Sequence, residues 1–453
     1  MTKSELESKH IAELHALAAE AEIPRYRMLR REELVDALLE GGGGPGENGA
    51  EPAKKTEGEE RPRRRRRRGG RGRSRAERAG GEDGERKAAP AHETEDGEEA
   101  EGPAAEEEIV TGVVDVVAQG HGFVRLGGLD PRTDDVYISA SQIRRCELRS
   151  GDEVTGPARG PRRGERHRAL TRVDRVNGAE PSDQRPPGFD DLTPVAPHRR
   201  IPLTVEAGDV LVRAADLLAP LGYGQRVLIR SRPRSGRTTL LRGLVKAIGA
   251  APNPPGIVVL LVDERPEEVT QWRREAPDVE IAAAAADLEP ADQVRHAELA
   301  LSRAKRRAEA GEDVVLVVDS LTRLGVAHGD PATVKPVFGA GRELEEEGAG
   351  SLTVIATVLA GTEDGDGALE ATETTENATL VLDADLAAAG VVPALDASVS
   401  GISGEELLRP ESELAAARAM RAELRELAPA EAATRLRELI EASASNTELL
   451  AKK

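Results

Sequence analysis

Unbroken apolar runs dominate the C-terminal half of the chain. Residues 224–230 carry Val227-Leu-Ile229, residues 255–263 carry Ile257 through Val262, and residues 313–320 carry Val314 through Val318. Runs of this length between polar residues predict parallel strands buried on both faces. Between the first two, Leu240, Leu241, Leu244, Val245 and Ile248 recur at three- and four-residue spacing, which predicts a helix from about 238 to 248. Strand, turn and helix in that order are the unit of an α/β domain. Residues 109–177 follow another rhythm. Short strands are expected at 109–117, 122–126, 135–138, 152–155 and 168–173, separated by Gly-rich turns. Five strands in so short a segment predict a small closed barrel of the oligonucleotide-binding type. Near the N-terminus, Ile11, Leu14, Leu17 and Ala18, and then 32–39, keep helical spacing, so residues 1–40 read as a small helical module. Residues 41–108 have almost no apolar periodicity and read as a disordered linker.

Composition sharpens this plan. With three Phe, three Tyr and one Trp in 453 residues, the cores must be built from Val, Leu, Ile and Ala, and few rings remain to stack on bases. Phe123 and Tyr137 in the barrel segment therefore stand out as base-stacking candidates, with Arg125, Arg144, Arg145, Arg162, Arg163 and Arg166 as partners for phosphates. Phe123 in so small a barrel has an equal claim on the core. A single cysteine, Cys146, excludes an internal disulfide and a Cys-rich metal site, and fits a reducing compartment. No apolar run approaches the roughly 18 residues of a membrane span, and the polar start is unlike a signal peptide, so a soluble, cytoplasmic chain with no membrane partner is expected. The formal net charge of −19 argues against a wholly basic nucleic-acid binder. Charge is nevertheless unevenly placed: Arg63 to Arg68 are consecutive, and residues 93–108 are strongly acidic. The Arg/Gly block would attract phosphate backbones without sequence preference, or else neutralise its own acidic flank. Arg25, Arg27, Arg30 and Arg31 give the helical module the choice between binding nucleic acid and acting as a docking bundle.

The loop between the predicted strand at 224–230 and the helix at 238–248 reads Ser231-Arg-Pro-Arg-Ser-Gly-Arg-Thr-Thr239. Backbone N–H groups at a helix N-terminus face an anion, so phosphates settle there. Against the pattern Gly, four residues, Gly-Lys-Ser/Thr, Ser231 stands at the first Gly, Gly236 is kept, Arg237 replaces Lys, and Thr238 is kept as a candidate Mg²⁺ ligand. A Gly-containing βα turn alone is common in α/β proteins. Support comes from two strand ends: one run passes into Asp263-Glu264-Arg265, and another ends in Asp319. Carboxylates there lie at the sheet edge where ligands bind, and an apolar run ending in Asp presents a Mg²⁺-holding carboxylate in nucleotide hydrolases. The competing role for Asp319 is a helix N-cap.

These residues resemble one family closely. The strings Tyr137-Ile-Ser-Ala-Ser-Gln-Ile-Arg-Arg145, Phe189-Asp-Asp-Leu-Thr-Pro194, Leu218-Ala-Pro-Leu-Gly-Tyr-Gly-Gln-Arg226, Leu260-Leu-Val-Asp-Glu-Arg-Pro-Glu-Glu-Val-Thr270, Asp319-Ser-Leu-Thr-Arg-Leu324, Phe338-Gly-Ala-Gly-Arg342 and Ser351-Leu-Thr-Val-Ile-Ala-Thr357 are similar to bacterial transcription termination factor Rho, a family of ring-shaped RNA-dependent ATPases. The resemblance spans nearly the whole chain outside 41–108. It implies a multidomain protein with the helical module at 1–40, an OB-fold, cold-shock-like barrel at 109–177, and a RecA-like P-loop ATPase domain with C-terminal helices at 178–453. It further implies single-stranded, cytosine-rich RNA as partner of the barrel, with Phe123, Tyr137, Glu165 and Arg166 as contacts, to which Arg125 is added from the basic residues of the barrel segment. ATP and Mg²⁺ are the implied cofactors, a homohexameric ring the implied assembly, and the transcribing RNA polymerase the implied wider partner.

In the motor, the resemblance assigns Glu264 to orienting the attacking water and Arg265 to the nucleotide's neighbourhood. Thr238 and Asp319 match the Mg²⁺ site, and Arg234, Ser235, Gly236, Arg237, Thr238 and Thr239 form the nucleotide loop. Several positions depart from the family pattern. His121 and His167 stand where rings are usual, and Arg234 and Arg237 replace lysines. Ser403 stands at the arginine finger, Gly390 at another arginine, and Val392 at the adenine-stacking ring. Glu373 falls near a pore lysine, and the segment between Leu324 and Lys335 is short. The motor implies RNA-driven translocation and transcript release. The departures imply the alternative, a degenerate paralogue that binds RNA without translocating and has weak or no ATPase.

Overall fold

The computed structural model describes residues 107–452 apart from 182–186, 204 and 207, and Leu38 alone before them. The helical module and linker expected at 1–40 and 41–108 fall almost entirely outside the described residues. The residues described from 107 onward belong to one structural unit, Asp96–Lys453.

The first part is a barrel: β1 (Glu108–Val116), β2 (Gly122–Arg125), β3 (Val136–Ile138), helix α1 (Ala140–Arg145), β4 (Glu153–Arg159), β5 (Arg168–Leu170) and β6 (Arg175–Val176). The order β1-β2-β3-β5-β4 closes through a β1–β4 pairing, and β6 adds to β4. Val110, Val114, Val124, Val136, Ile138, Val154 and Leu170 fill the interior, as strand alternation requires. Two strands differ from the pattern expected along the chain. β4 runs on to Arg159, since Gly156 allows a close approach to the Arg172 carbonyl that a Cβ would block at 2.1 Å. The expected strand at 168–173 stops at Leu170, and the chain pairs again only as β6.

The second part is a layered α/β domain. Its strands are β7 (Pro194–Val195), β8 (Arg226–Ser231), β9 (Gly256–Glu264), β10 (Glu280–Ala285), β11 (Asp313–Asp319), β12 (Arg342–Leu344), β13 (Ser351–Leu359), β14 (Ala378–Leu382) and β15 (Gly401–Ile402). The helices include α2 (Val210–Leu218), α3 (Arg237–Gly249), α4 (Pro266–Glu275), α5 (Pro290–Glu309), α6 (Leu321–His328), α7 (Lys335–Phe338), α8 (Glu363–Thr372), α9 (Ala384–Ala388), α10 (Glu411–Arg425), α11 (Pro429–Glu441) and α12 (Asn446–Ala451). The sheet order is β10-β9-β11-β13-β8-β14-β15, and β10 through β14 are parallel.

The unbroken apolar runs follow from burial on both faces. In β9, Ile257, Val259 and Leu261 belong to the core cluster that also holds residues of α2, α3, α4 and the C-terminal helices, while Val258, Leu260 and Val262 belong to the cluster of the other face, with residues of α5, α6 and α8. β8 begins two residues later than its apolar run suggests. Gly224 turns the chain at φ 80° and the Gln225 side chain accepts the Gly222 amide at 2.8 Å, so 222–225 is a turn.

A nucleotide crevice and an aromatic cleft

The crevice starts where β8 ends. From Ser231 the loop turns on two left-handed residues, Arg234 at φ 66° and Gly236 at φ 88°, into α3. Gly236 is the N-cap and offers no side-chain acceptor, so the first amides of α3 remain available to an anion. Ser235 is buried, and its hydroxyl donates to the Arg232 carbonyl at 2.6 Å, folding the loop on itself. Arg234 and Thr239 are exposed and Thr238 is half-buried.

Parallel register carries the strand-end carboxylates to the same edge, because β8, β13, β11 and β9 are neighbours in that order. Asp319 is fully buried at the end of β11. Its Oδ1 accepts the Thr357 hydroxyl at 3.0 Å and lies 3.0 Å from Arg237 Nε. Asp319 Oδ2 and Arg237 Nη1 are both buried without a partner. Burial pushes the Asp319 carboxyl above its ordinary range; Arg237 opposes that shift and the charge of Glu264 adds to it.

Glu264, at the end of β9, is nearly buried and accepts Arg323 Nη1 at 2.7 Å. The same Arg323 nitrogen donates to the Asp263 carbonyl at 2.8 Å. Arg265 is not brought in: it caps α4, its side chain is 66% exposed, and it pairs with Glu268 at 3.2 Å. Thr357 and Arg323 sit in the crevice although their types announced nothing. The available signals were a hydroxyl inside an otherwise apolar strand and an arginine in the first turn after Asp319.

On the barrel, β2 and β3 set Phe123 opposite Tyr137 in register. His121, Phe123, Tyr137 and His167 form a ring cluster with centroids 5.2–6.2 Å apart for the paired rings. Phe123 is half-buried, so it belongs to neither the interior nor open solvent. Beside it lies a cavity of about 580 Å³ lined by Tyr137, Gln142, Arg145, Glu165, Arg166 and His167. Arg159 grips Glu165 through both terminal nitrogens at 2.7 and 2.8 Å, and with the Arg162 amide lowers the Glu165 carboxyl to about 2. Arg125 departs from the expected phosphate contact. It is buried, its Nε and Nη2 donate to Asp115 and its Nη1 to Asp135 at 2.6 Å, and its guanidinium lies 5.5 Å from the Phe123 ring centre. Its charge is spent on these carboxylates and its guanidinium lies against the Phe123 ring, whereas Arg166 and Arg145 are exposed.

Three family models match the chain: the Rho termination factor N-terminal domain at 5–41, the Rho termination factor RNA-binding domain at 110–182, and the nucleotide-binding domain of the ATP synthase alpha/beta family at 212–332. A transcription termination factor Rho of Rhodopirellula baltica is 38% identical over 366 residues, covering 75% of this chain and 70% of that one. The chain belongs to the transcription termination factor Rho family. Further members similar to it are the Rho of Bacillus subtilis, 38% identical over 68% of this chain and 76% of its own length, and that of Aquifex aeolicus, 37% identical over 76% and 84%. Among solved structures, a prototypical ATPase from the type III secretion system of pathogenic bacteria aligns at 22% identity and TM-score 0.46, over 62% of this chain and 93% of that one.

Within this Rho-family chain the departures occupy defined places. Ser403 is exposed just after β15, its amide donating to the Asn377 carbonyl at 2.8 Å, and Val392 is 47% exposed. Glu373 is exposed at the end of α8. The short segment after α6 is closed by Gly329 at φ 73° and by Asp330, whose carboxylate accepts the Ala332 amide. For a metal, the buried, partnerless Asp319 Oδ2 and the Thr238 hydroxyl in the first turn of α3 are the kind of oxygen donors Mg²⁺ takes. No group of three or more His, Cys, Asp or Glu among the described residues forms a cage, so phosphate and water would complete a Mg²⁺ shell, as that ion prefers. Among the described residues no helix is long and apolar enough to cross a membrane.

Proposed function

We propose that this chain is an RNA-dependent ATPase that terminates transcription. Single-stranded RNA lies on the ring cluster of the barrel, and ATP hydrolysis in the crevice drives translocation and transcript release. The observation that carries this reading is the convergence of a phosphate loop, Asp319 and Glu264 on one sheet edge. The amides opening α3 take the phosphates, and Arg234 and Arg237 supply positive charge. Thr238 and Asp319 would hold Mg²⁺, which would supply positive charge against the transferring phosphoryl group. Glu264, held by Arg323, orients the attacking water. At the barrel, Phe123 and Tyr137 stack on bases, Arg166 meets the backbone, and Glu165 accepts from a base edge. The working form is a cytoplasmic homohexameric ring acting on the transcription complex, with the helical module at 1–40, the linker at 41–108, the barrel at 109–177 and the motor at 178–453.

The test is phosphate release from ATP by the purified chain with and without poly-cytidine RNA, beside Glu264→Gln. RNA-stimulated release that the variant lacks supports the motor. RNA binding with release at the variant's level supports the alternative, a non-translocating RNA-binding regulator, which the exposed Ser403 at the arginine-finger position favours.

A further inference from the structure

The carboxylate that Mg²⁺ would share already has a cation against it. Arg237 Nε lies 3.0 Å from Asp319 Oδ1, and the two side chains are 12% and 1% exposed. Neither group has used its full capacity, since Nη1 of Arg237 and Oδ2 of Asp319 are buried and partnerless. The other charges beside Asp319, Glu264 and Arg323, pair with each other at 2.7 Å. A lysine ammonium is a compact point charge, whereas a guanidinium is a rigid planar fork whose Nε can rest on one anion while its Nη atoms serve a second.

We propose that Arg237 is a resident cation for bound nucleoside polyphosphate, bridging Asp319 and the phosphates, so that this chain binds nucleotide with little dependence on a divalent metal. The proposal rests on the nucleotide reading of the crevice. Asp319 is neutralised in place and does not repel the arriving phosphates, and the loop offers amides and a guanidinium before any metal enters. A lysine at 237 would commit its single charge to the phosphates or to Asp319, leaving the other to Mg²⁺.

The experiment is calorimetric titration of the full chain with the non-hydrolysable β,γ-imido analogue of ATP, in magnesium chloride and in EDTA. The wild-type dissociation constant changes by less than about fivefold on metal removal, whereas Arg237→Lys weakens by about tenfold or more in EDTA. A wild-type loss of about fivefold or more in EDTA, with binding in magnesium intact, overturns the bridging role and leaves the nucleotide reading standing. An Arg237→Lys protein as metal-independent as the wild type overturns the assignment to Arg237. No binding in either buffer overturns both readings. The wild-type comparison decides without any variant, and circular dichroism establishes that the lysine variant is folded.

Discussion

Arg125 stands in an aromatic and basic stretch of the barrel, and each of its nitrogens meets a carboxylate of Asp115 or Asp135. All three residues are buried. Truncating one member of such a group leaves its partners charged and desolvated, so Arg125→Ala is expected to cost about 3–5 kcal/mol in urea unfolding. The exposed Arg166→Ala is expected to leave stability within about 0.5 kcal/mol and to weaken poly-cytidine binding, measured by fluorescence anisotropy. Glu165 makes a pH prediction of definite sign. Its hydrogen bonds from Arg159 lower the folded-state carboxyl from 4.5 to about 2. Its contribution is therefore fully present above the unfolded value and is lost as pH falls from 4.5 through 2. The gap in denaturation midpoint between wild type and Glu165→Gln should stay constant from about pH 8 to 5 and close below about pH 4.5. A gap that opens on acidification would refute the pairing.

At the scale of elements, the parallel strands and α3 were legible because their periodicities differ: continuous where both faces are buried, three and four residues apart where one face is. The boundaries followed local geometry that periodicity does not contain, as at Gly224 before β8 and Gly156 within β4. The phosphate loop depends on Gly236 at φ 88°, where a Cβ would meet no atom within 4 Å. Gly236→Ala therefore tests the backbone alone. It should cost about 1–2 kcal/mol in denaturant unfolding and, on the proposed nucleotide reading, lower nucleotide affinity, since the strain falls on the amides that open α3.

Across the whole molecule, barrel and motor are joined by charge and by packing. Arg295 reaches Asp115 at 2.7 Å, Arg303 reaches Glu153 at 2.8 Å, and Arg149 reaches Glu309 at 2.5 Å. Val113 and Leu129 of the barrel segment enter a core cluster of the motor. Asp115 thus touches both Arg125, which lies against the Phe123 ring, and Arg295 on α5. Glu309 is nearly buried and accepts from Arg149 and the Phe189 amide, and it pairs with Arg306. Glu309→Ala is expected to cost about 3–5 kcal/mol and to release the barrel as a separate calorimetric transition. A single transition at the wild-type temperature would show that the remaining ion pairs and the apolar contacts suffice to hold the two parts together.

The sequence by itself determined the elements, the barrel, the phosphate loop and the family, because each is written in spacing along a short stretch of chain. Only the tertiary structure decided which carboxylate meets which cation. Strand order and register set Asp319 beside Arg237 and Thr357, Glu264 beside Arg323, and Arg125 between Asp115 and Asp135. The pairings of Asp319 and Glu264 join residues distant in the chain and those of Arg125 cross between neighbouring strands, and burial makes each of them costly to leave unmade, so packing, and no local pattern, selects them.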